Sequence, residues 1–486
     1  MPHAVIAGSG FGGLAAALRL RAKGYEVTVL EKQSQIGGKA TVIESGPFQY
    51  DAGPTVVTAK VLFEELFQLF GRDPNDYVRF LDVSPWYAFD FPNGKHFHYG
   101  PTYEDTLKEI ERLFPEDLEG YKQFFKYSKA LFHVAYEEYG TVSFDRLLPF
   151  LKATPHFLKL RCFENCTKSV SRFFKSPELR QAFSVPPLLV GGNPNNTPAL
   201  YLLIHYLENK WGIVFPKGGM GALVQALVRL AKEEGIDFVT ETAAQKLKTA
   251  GDRVTHITTE RGEALATDMF VFNGDPMTFY SAFVDAKRQH IKTKLKKNGA
   301  DLSMGLFVLY FSTKKQYDDV PHHLILFSDP FDLHIEQIFK RPALPTSPNV
   351  YLHRPRTTDP DIAPEGTDSF YALVPVPNLK EFQDWSEAEA VMKERTLNFL
   401  EERALPGLKE SLVDLHVRHP KYFQEKQYCY YGSAFTIQPK LSQSAYFRFT
   451  NQLPEFANAF FVGAGTHPGA GLPGVLTSAK ILERCL

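Results

Sequence analysis

The stretch from Ala4 to Glu31 limits what this chain can fold into more than any other. Ala4-Val5-Ile6-Ala7 is a short apolar run suited to a buried parallel strand. Gly8-Ser9-Gly10-Phe11-Gly12-Gly13 follows, then Leu14-Ala15-Ala16-Ala17-Leu18, rich in good helix formers. A second strand candidate, Glu26-Val27-Thr28-Val29-Leu30, runs into Glu31. Strand, glycine turn, helix, strand and acid in that order make a dinucleotide-binding unit. Gly8 permits the tight turn, Gly10 lets backbone approach a pyrophosphate, and Gly13 lets helix and strand pack closely. Ser9, Phe11 and Gly12 belong to the same turn, where the helix N-terminus offers N–H groups and a positive dipole end. Glu31, 18 residues past Gly13 and followed by Lys32, is placed to accept from ribose hydroxyls. An acid at this point disfavours NADP and leaves NAD and FAD open.

The next segment discriminates between them. Gly37-Gly38-Lys39 continues the phosphate-contacting surface with a basic residue, and Tyr50-Asp51-Ala52-Gly53-Pro54-Thr55 follows. The combination resembles the extended fingerprint of FAD-binding oxidoreductases. Gly53, Pro54 and Thr55 read as backbone near the flavin ring, while Asp51 is equally an ordinary turn residue. A second glycine cluster lies at the other end of the chain. Ala459-Phe460-Phe461-Val462 reads as a strand, and Gly463 to Gly471 as a loop where backbone approaches a flat ligand. Pro473 suits the first residue of a closing helix. Gly463 and Gly465, with Leu472, Pro473, Gly474 and Val475 at the helix start, are expected to form the far wall of the cofactor site. A helix N-terminus there favours the negative charge that reduction places on a flavin.

The 486 residues suggest two or three structural units, and 44% hydrophobic with 22% charged residues fits a folded chain. A net charge of −1 offers no nucleic-acid footprint. Of the four cysteines, Cys162 and Cys166 form a pair with no second pair or histidine cluster at zinc spacing, so no metal site is expected, and so few cysteines suit a reducing compartment. The start MPHAVIAGSG lacks a signal-peptide pattern, and no apolar run approaches the roughly 18 residues that span a bilayer. The expectation is a protein that is soluble or lies on a membrane. The 41 phenylalanines against 3 tryptophans suggest large apolar interiors or an apolar ligand.

These motifs together resemble the phytoene desaturase family, the bacterial-type carotenoid desaturases. Besides both glycine clusters, the resemblance rests on GGNPNNTPALYLLIHYLENKWGIVFPKGGMGALVQAL (Gly191 to Leu227), LFVLYF (Leu306 to Phe311), APEG (Ala363 to Gly366), LVPVPNL (Leu373 to Leu379), YGSAF (Tyr431 to Phe435) and GAGTHPGAGLPGV (Gly463 to Val475). It spans nearly the whole chain. It implies FAD, a long polyene substrate, and removal of two hydrogens per step. It also implies peripheral membrane association on the cytoplasmic side, and oxygen or a quinone as electron acceptor. It places Ala244 where backbone meets the adenine. Some family members carry an arginine-aspartate pair just ahead of the segment matching Ala153-Thr154-Pro155; here Leu148-Pro149 stands there, with Asp145-Arg146 earlier and reversed. No acid-base pair carries over.

The resulting fold class is α/β: a discontinuous Rossmann-type FAD-binding domain (1–82, 215–274, 457–486), a β-sheet substrate domain (83–102, 275–456) and a helical, membrane-associating insertion (103–190). The membrane reading rests on residues 145–175, where seven basic residues and two acids are interleaved with bulky apolar ones such as Leu147, Leu148, Leu151, Leu158 and Phe163. A solvated charged face over an ordinary core is the alternative. His322-His323 has no acid or third histidine at ligand spacing, so a structural role is expected and no metal.

For chemistry, flavin accepts hydride from an allylic carbon while the neighbouring carbon loses a proton. The delocalised cation relaxes the need for a strong base. His467, with Thr466 beside it, is the candidate catalytic residue, and a histidine that merely packs the loop is equally consistent. A carotenoid isomerase or an amine-oxidase-like flavoprotein on the same fold is the alternative function; a non-enzymatic scaffold leaves the fingerprint unexplained.

Overall fold

A computed structural model describes residues 1–486. Five parallel strands form one sheet in the order Asp237–Val239, Glu26–Leu30, His3–Ala7, Met269–Phe272, Ala459–Phe461. The strands are short and buried, as their apolar runs require of a sheet covered on both faces. The helices Phe11–Ala22 and Leu472–Arg484 pack against one another, and Gly219–Glu233 lies beside the first of them. Amino-terminal, central and carboxyl-terminal segments therefore share one core. A three-stranded meander, Ala244–Ala250, Arg253–Thr259 and Ala264–Ala266, lies in sequence between Asp237–Val239 and Met269–Phe272.

A second sheet has seven strands, in the order Leu412–Arg418, Gly305–Thr313, Asp368–Val376, Val350–His353, His323–Leu326, Tyr87–Asp90, His96–Tyr99. It is antiparallel except where Tyr87–Asp90 runs parallel to His323–Leu326. The central strands Gly305–Thr313 and Asp368–Val376 are buried along nearly their whole length, so both faces of the sheet are covered. The small sheet Val57–Thr58, Ile213–Pro216, Phe80–Asp82 joins the two parts of the molecule.

Helices fill the region from Tyr103 to Trp211. Leu118–Phe132 is the long one, and it runs into a π-helical turn at His133–Glu138. Leu203–Trp211 packs on it: Ser128 Oγ donates to the Leu202 carbonyl at 2.7 Å and accepts from Tyr206 N–H at 2.9 Å. The helical part thus continues beyond residue 190. Leu147–Lys159 lies on the outside, with Leu147, Leu148, Leu151 and Leu158 all exposed and Leu148 61% so. No helix is long and apolar enough to cross a membrane.

Candidate active site

Both glycine clusters meet at one residue, Asn273, which directly follows the strand Met269–Phe272. Its amide donates to the Gly8 carbonyl at 3.3 Å. A Cβ on Gly12 would lie 2.5 Å from Asn273 Oδ1 and 3.0 Å from the Gly463 backbone; one on Gly463 would lie 2.7 Å from the same oxygen. Side chains on either loop would push the two apart. Gly13 acts differently, because a Cβ there would stand 2.0 Å from the Gly8 carbonyl. It fits the helix against the strand and does not face the cavity.

That cavity, about 1010 Å³, is the principal one in the molecule. Its polar end is lined by Gly8, Ser9, Gly10, Phe11, Gly12, Glu31, Lys32, Gly37, Gly38, Lys39 and Ala244. Further along come Gly53, Pro54, Thr55, Gly463, Gly465, His467, Leu472, Pro473, Gly474 and Val475. Every expected cofactor residue except Gly13 thus lies on one continuous surface. The closing helix starts at Leu472, one residue ahead of Pro473. Glu31 is buried and accepts from Ser9 N–H at 3.0 Å, Ser9 Oγ at 2.5 Å and Gln33 N–H at 2.8 Å. Lys39 Nζ reaches the Ala434 carbonyl at 2.6 Å, and Lys32 Nζ sits 3.3 Å from the centre of the Tyr428 ring. Thr55 Oγ1 is 2.6 Å from Tyr351 OH.

Two expectations change, and one open reading narrows. Thr466 turns away from the cavity: it is fully buried and its hydroxyl donates to the Phe449 carbonyl at 2.8 Å, so it is no catalytic group. Asp51, open above between a turn and the cofactor surface, does not line the cavity. One of its oxygens accepts from Met220 N–H at 2.8 Å and Gly221 N–H at 3.3 Å, capping the helix Gly219–Glu233, and burial raises its pKa to about 6. His322-His323 does acquire a third histidine. His353, paired with His323 across adjacent strands, brings a ring nitrogen within 4.8 Å of one from each of the others. All three are buried and held neutral, and no carboxylate joins them.

His467 does line the cavity, its ring centroid 5.0 Å from that of Phe144, but neither ring nitrogen has a partner. Burial, and then the neighbouring Arg448 charge, push its pKa down to about 3. It is neutral and a feeble proton acceptor. Arg448 was not legible as a site residue. Buried beneath the glycine loop, it donates to the carbonyls of Thr466 at 2.9 Å and Ala464 at 2.7 Å. Asp145 is not on the cavity wall.

The other end of the cavity is apolar, walled by Phe157, Val185, Leu189, Leu200, Leu203, Ile204, Ile325 and Phe327, among others. The cavity as a whole thus suits an apolar guest beside a dinucleotide.

The chain matches the family described as flavin containing amine oxidoreductase over residues 11–481. It is 40% identical to a phytoene desaturase (lycopene-forming) of Pseudescherichia vulneris, over 99% of this chain and 98% of the relative. It is 36% identical to a phytoene desaturase (neurosporene-forming) of Cereibacter sphaeroides, over 99% and 94%. The chain belongs to the phytoene desaturase branch of the flavin-containing amine oxidoreductases. Among solved structures, cyclohexylamine oxidase of Brevibacterium oxydans shares the fold, with a TM-score of 0.64 at 15% identity over 100% of this chain and 99% of that one. This desaturase is therefore an FAD-dependent oxidoreductase acting on CH–CH bonds. The residues present fit that cofactor: a close-packed glycine turn whose Gly12, Gly13 and Gly463 have no room for a Cβ, and a buried carboxylate at its head.

Proposed function

We propose that this carotenoid desaturase takes phytoene, or a similar long polyene, and removes hydrogens in successive steps to give a lycopene-type product. The observation that carries the reading is a single cavity whose glycine-lined end continues into an apolar wall. When bound, FAD supplies the acceptor for hydride leaving an allylic carbon. Glu31 would accept from the ribose hydroxyls, and the free N–H groups at the start of Phe11–Ala22 would face the pyrophosphate. Gly53 to Thr55 would lie along the flavin ring, with Thr55 fixed by Tyr351. The N-terminus of Leu472–Arg484 and the buried Arg448 would together favour negative charge on the flavin. His467 positions the polyene beside Phe144. Ala244, at the start of the meander, would meet the adenine. In this reading the FAD-binding part comprises 1–82, 215–274 and 457–486, with the seven-stranded sheet as the substrate part.

The same reading puts the protein on the cytoplasmic membrane surface. The helix Leu147–Lys159 gives Phe157 to the cavity wall and Leu148, Leu151 and Leu158 to the outer surface, flanked by Arg146, Lys152 and Lys159. Phe447, also exposed, lies against Phe150 of this helix with ring centroids 5.6 Å apart, and its neighbour Ala445 lines the cavity. An apolar substrate would pass from bilayer to cavity without crossing water. Oxygen or a quinone would then take the electrons. Incubation with phytoene in FAD-containing liposomes, followed by product spectra, tests the reading: lengthened conjugation supports it, and unchanged phytoene rejects it.

A further inference from the structure

Helix Leu203–Trp211 brings one ionisable side chain to the apolar end of the cavity. Glu208 is 3% exposed and lines both the main cavity and a small one beside it. Tyr99 OH lies 3.0 Å from its Oε2 and Tyr87 OH 3.4 Å from its Oε1. Tyr99 OH is also 2.7 Å from His205 Nδ1 and accepts from Asn209 Nδ2 at 3.2 Å. The other carboxyls on the cavity wall are otherwise engaged or placed. Glu31 is held by Ser9 and Gln33, Asp275 takes the N–H groups of Met277 and Tyr430, and Glu260 is exposed near the adenine end.

Glu208 also connects to the flavin segment. The Tyr87 ring stands 5.5 Å from that of His323, His323 Nδ1 is 2.8 Å from Tyr351 OH, and Tyr351 OH is 2.6 Å from Thr55 Oγ1. Tyr87, His323 and Tyr351 thus stand in a line between the carboxyl and Thr55, and all but His323 line the same cavity as Glu208.

We propose that Glu208 accepts the proton that the polyene loses in each desaturation. The inference rests on the desaturase reading above. Bound FAD would supply the acceptor for hydride leaving one carbon with the electron pair of its C–H bond. The adjacent C–H bond breaks in the same step: its proton goes to a Glu208 carboxylate oxygen, and its electron pair becomes the new C=C bond as the hydride leaves. The carboxyl returns its proton to water once product has left.

The environment is matched to that task. Burial pushes the Glu208 pKa up to about 8, opposed in part by the hydroxyls of Tyr99 and Tyr87. The titratable groups facing it are those two tyrosines from the sheet, Tyr121 from the helix Leu118–Phe132 and His205 from its own helix. Burial raises the tyrosines and lowers His205 to about 3, so all four are uncharged at neutral pH and no cation holds the carboxylate ionised. A carboxyl titrating near the operating pH is the efficient kind of proton acceptor.

The test is stopped-flow bleaching of bound FAD by phytoene in liposomes, over a pH series, with wild type and Glu208→Gln. Glutamine keeps the shape and an acceptor oxygen for the tyrosines. Glu208→Gln should slow bleaching by about 10²–10⁴-fold at unchanged FAD content. It should also abolish the rise in rate expected of wild type as pH passes about 8. Infrared spectra of the apoprotein should show a protonated-carboxyl band at neutral pH that Glu208→Gln lacks. Should that variant misfold, Tyr99→Phe, which removes a donor to the carboxylate, should move the rise to higher pH. Bleaching within about threefold of wild type, or a slowed variant that keeps the same pH rise, overturns the assignment. Wild type that leaves phytoene and flavin unchanged overturns the desaturase reading instead, whatever the infrared band shows.

Discussion

Replacing Glu31 with glutamine tests the cofactor site most directly. One oxygen of the carboxylate takes both the N–H and the hydroxyl of Ser9, and the other takes Gln33 N–H at 2.8 Å. A glutamine has only one acceptor oxygen. Whichever way its amide turns, an NH₂ group then faces a backbone N–H in a buried position. A hydrogen bond to a charged group contributes about 1.5–3 kcal/mol, and a buried donor left unpaired costs about 1–3 kcal/mol. Part of that penalty already weighs on the apoprotein, so the expected loss of FAD affinity is about 1–3 kcal/mol, or roughly 5- to 150-fold in Kd. Titration of apoprotein with FAD, followed by quenching of flavin fluorescence, measures it, and the melting temperature of the apoprotein should fall in parallel. Glu31→Gln that binds FAD as tightly as wild type would refute the assignment of Glu31 to the ribose. Release of a nicotinamide on denaturation would refute the cofactor itself.

Other consequences are as specific. His467→Ala should lower the rate of flavin reduction by less than about 100-fold and keep FAD bound, because a ring with its pKa near 3 has little basicity to lose; single-turnover kinetics check it, and a larger loss with normal flavin content makes His467 the base. Changing Lys152, Lys159, Arg161 and Lys168 together to Gln should weaken binding to anionic vesicles by up to about 1 kcal/mol per charge at low salt, and flotation indifferent to both charge and salt refutes membrane docking. The buried His353 has its pKa pushed down to about 3, below the unfolded value near 6.5, so its contribution to stability is present above that value and lost as pH falls through the interval. His353→Phe should therefore flatten the acid side of the stability curve by about 1.4 kcal/mol per pH unit there, as denaturant titrations would show.

The parallel sheet was legible because its signals are local: apolar runs of four or five residues, glycines at the turn and an acid closing the second strand. The carboxyl-terminal loop was legible for the same reason. What escaped depends on residues brought together from far apart. Asn273 is one asparagine after an apolar strand, and nothing nearby announces that two glycine loops 450 residues apart in sequence close on it. His353 is 30 residues from His323 and meets it only through strand register. Thr466 and His467 are neighbours in a loop whose alternation sequence does not give, and only one of them faces the cavity. Glu208 stands between Leu207 and Asn209 with nothing local to mark it; its partners Tyr87 and Tyr99 lie more than 100 residues earlier.

Placing the acceptor in an apolar wall has a kinetic consequence. A cavity of about 1010 Å³ has room for water, which in the free enzyme would help solvate the Glu208 carboxylate on its wall. A bound polyene offers no hydrogen bond and displaces that water, so the charged form loses further ground while Tyr87 and Tyr99 remain as its only donors. The pH dependence of kcat/KM reports free enzyme and that of kcat reports the complex. The rise governed by Glu208 should therefore lie near pH 8 in kcat/KM and at higher pH in kcat. A histidine base would behave in the opposite sense, since desolvation by the substrate lowers its pKa and moves the rise in kcat to lower pH. Steady-state profiles at limiting and saturating phytoene separate the two, and a rise that moves down on saturation excludes a carboxylate as the proton acceptor.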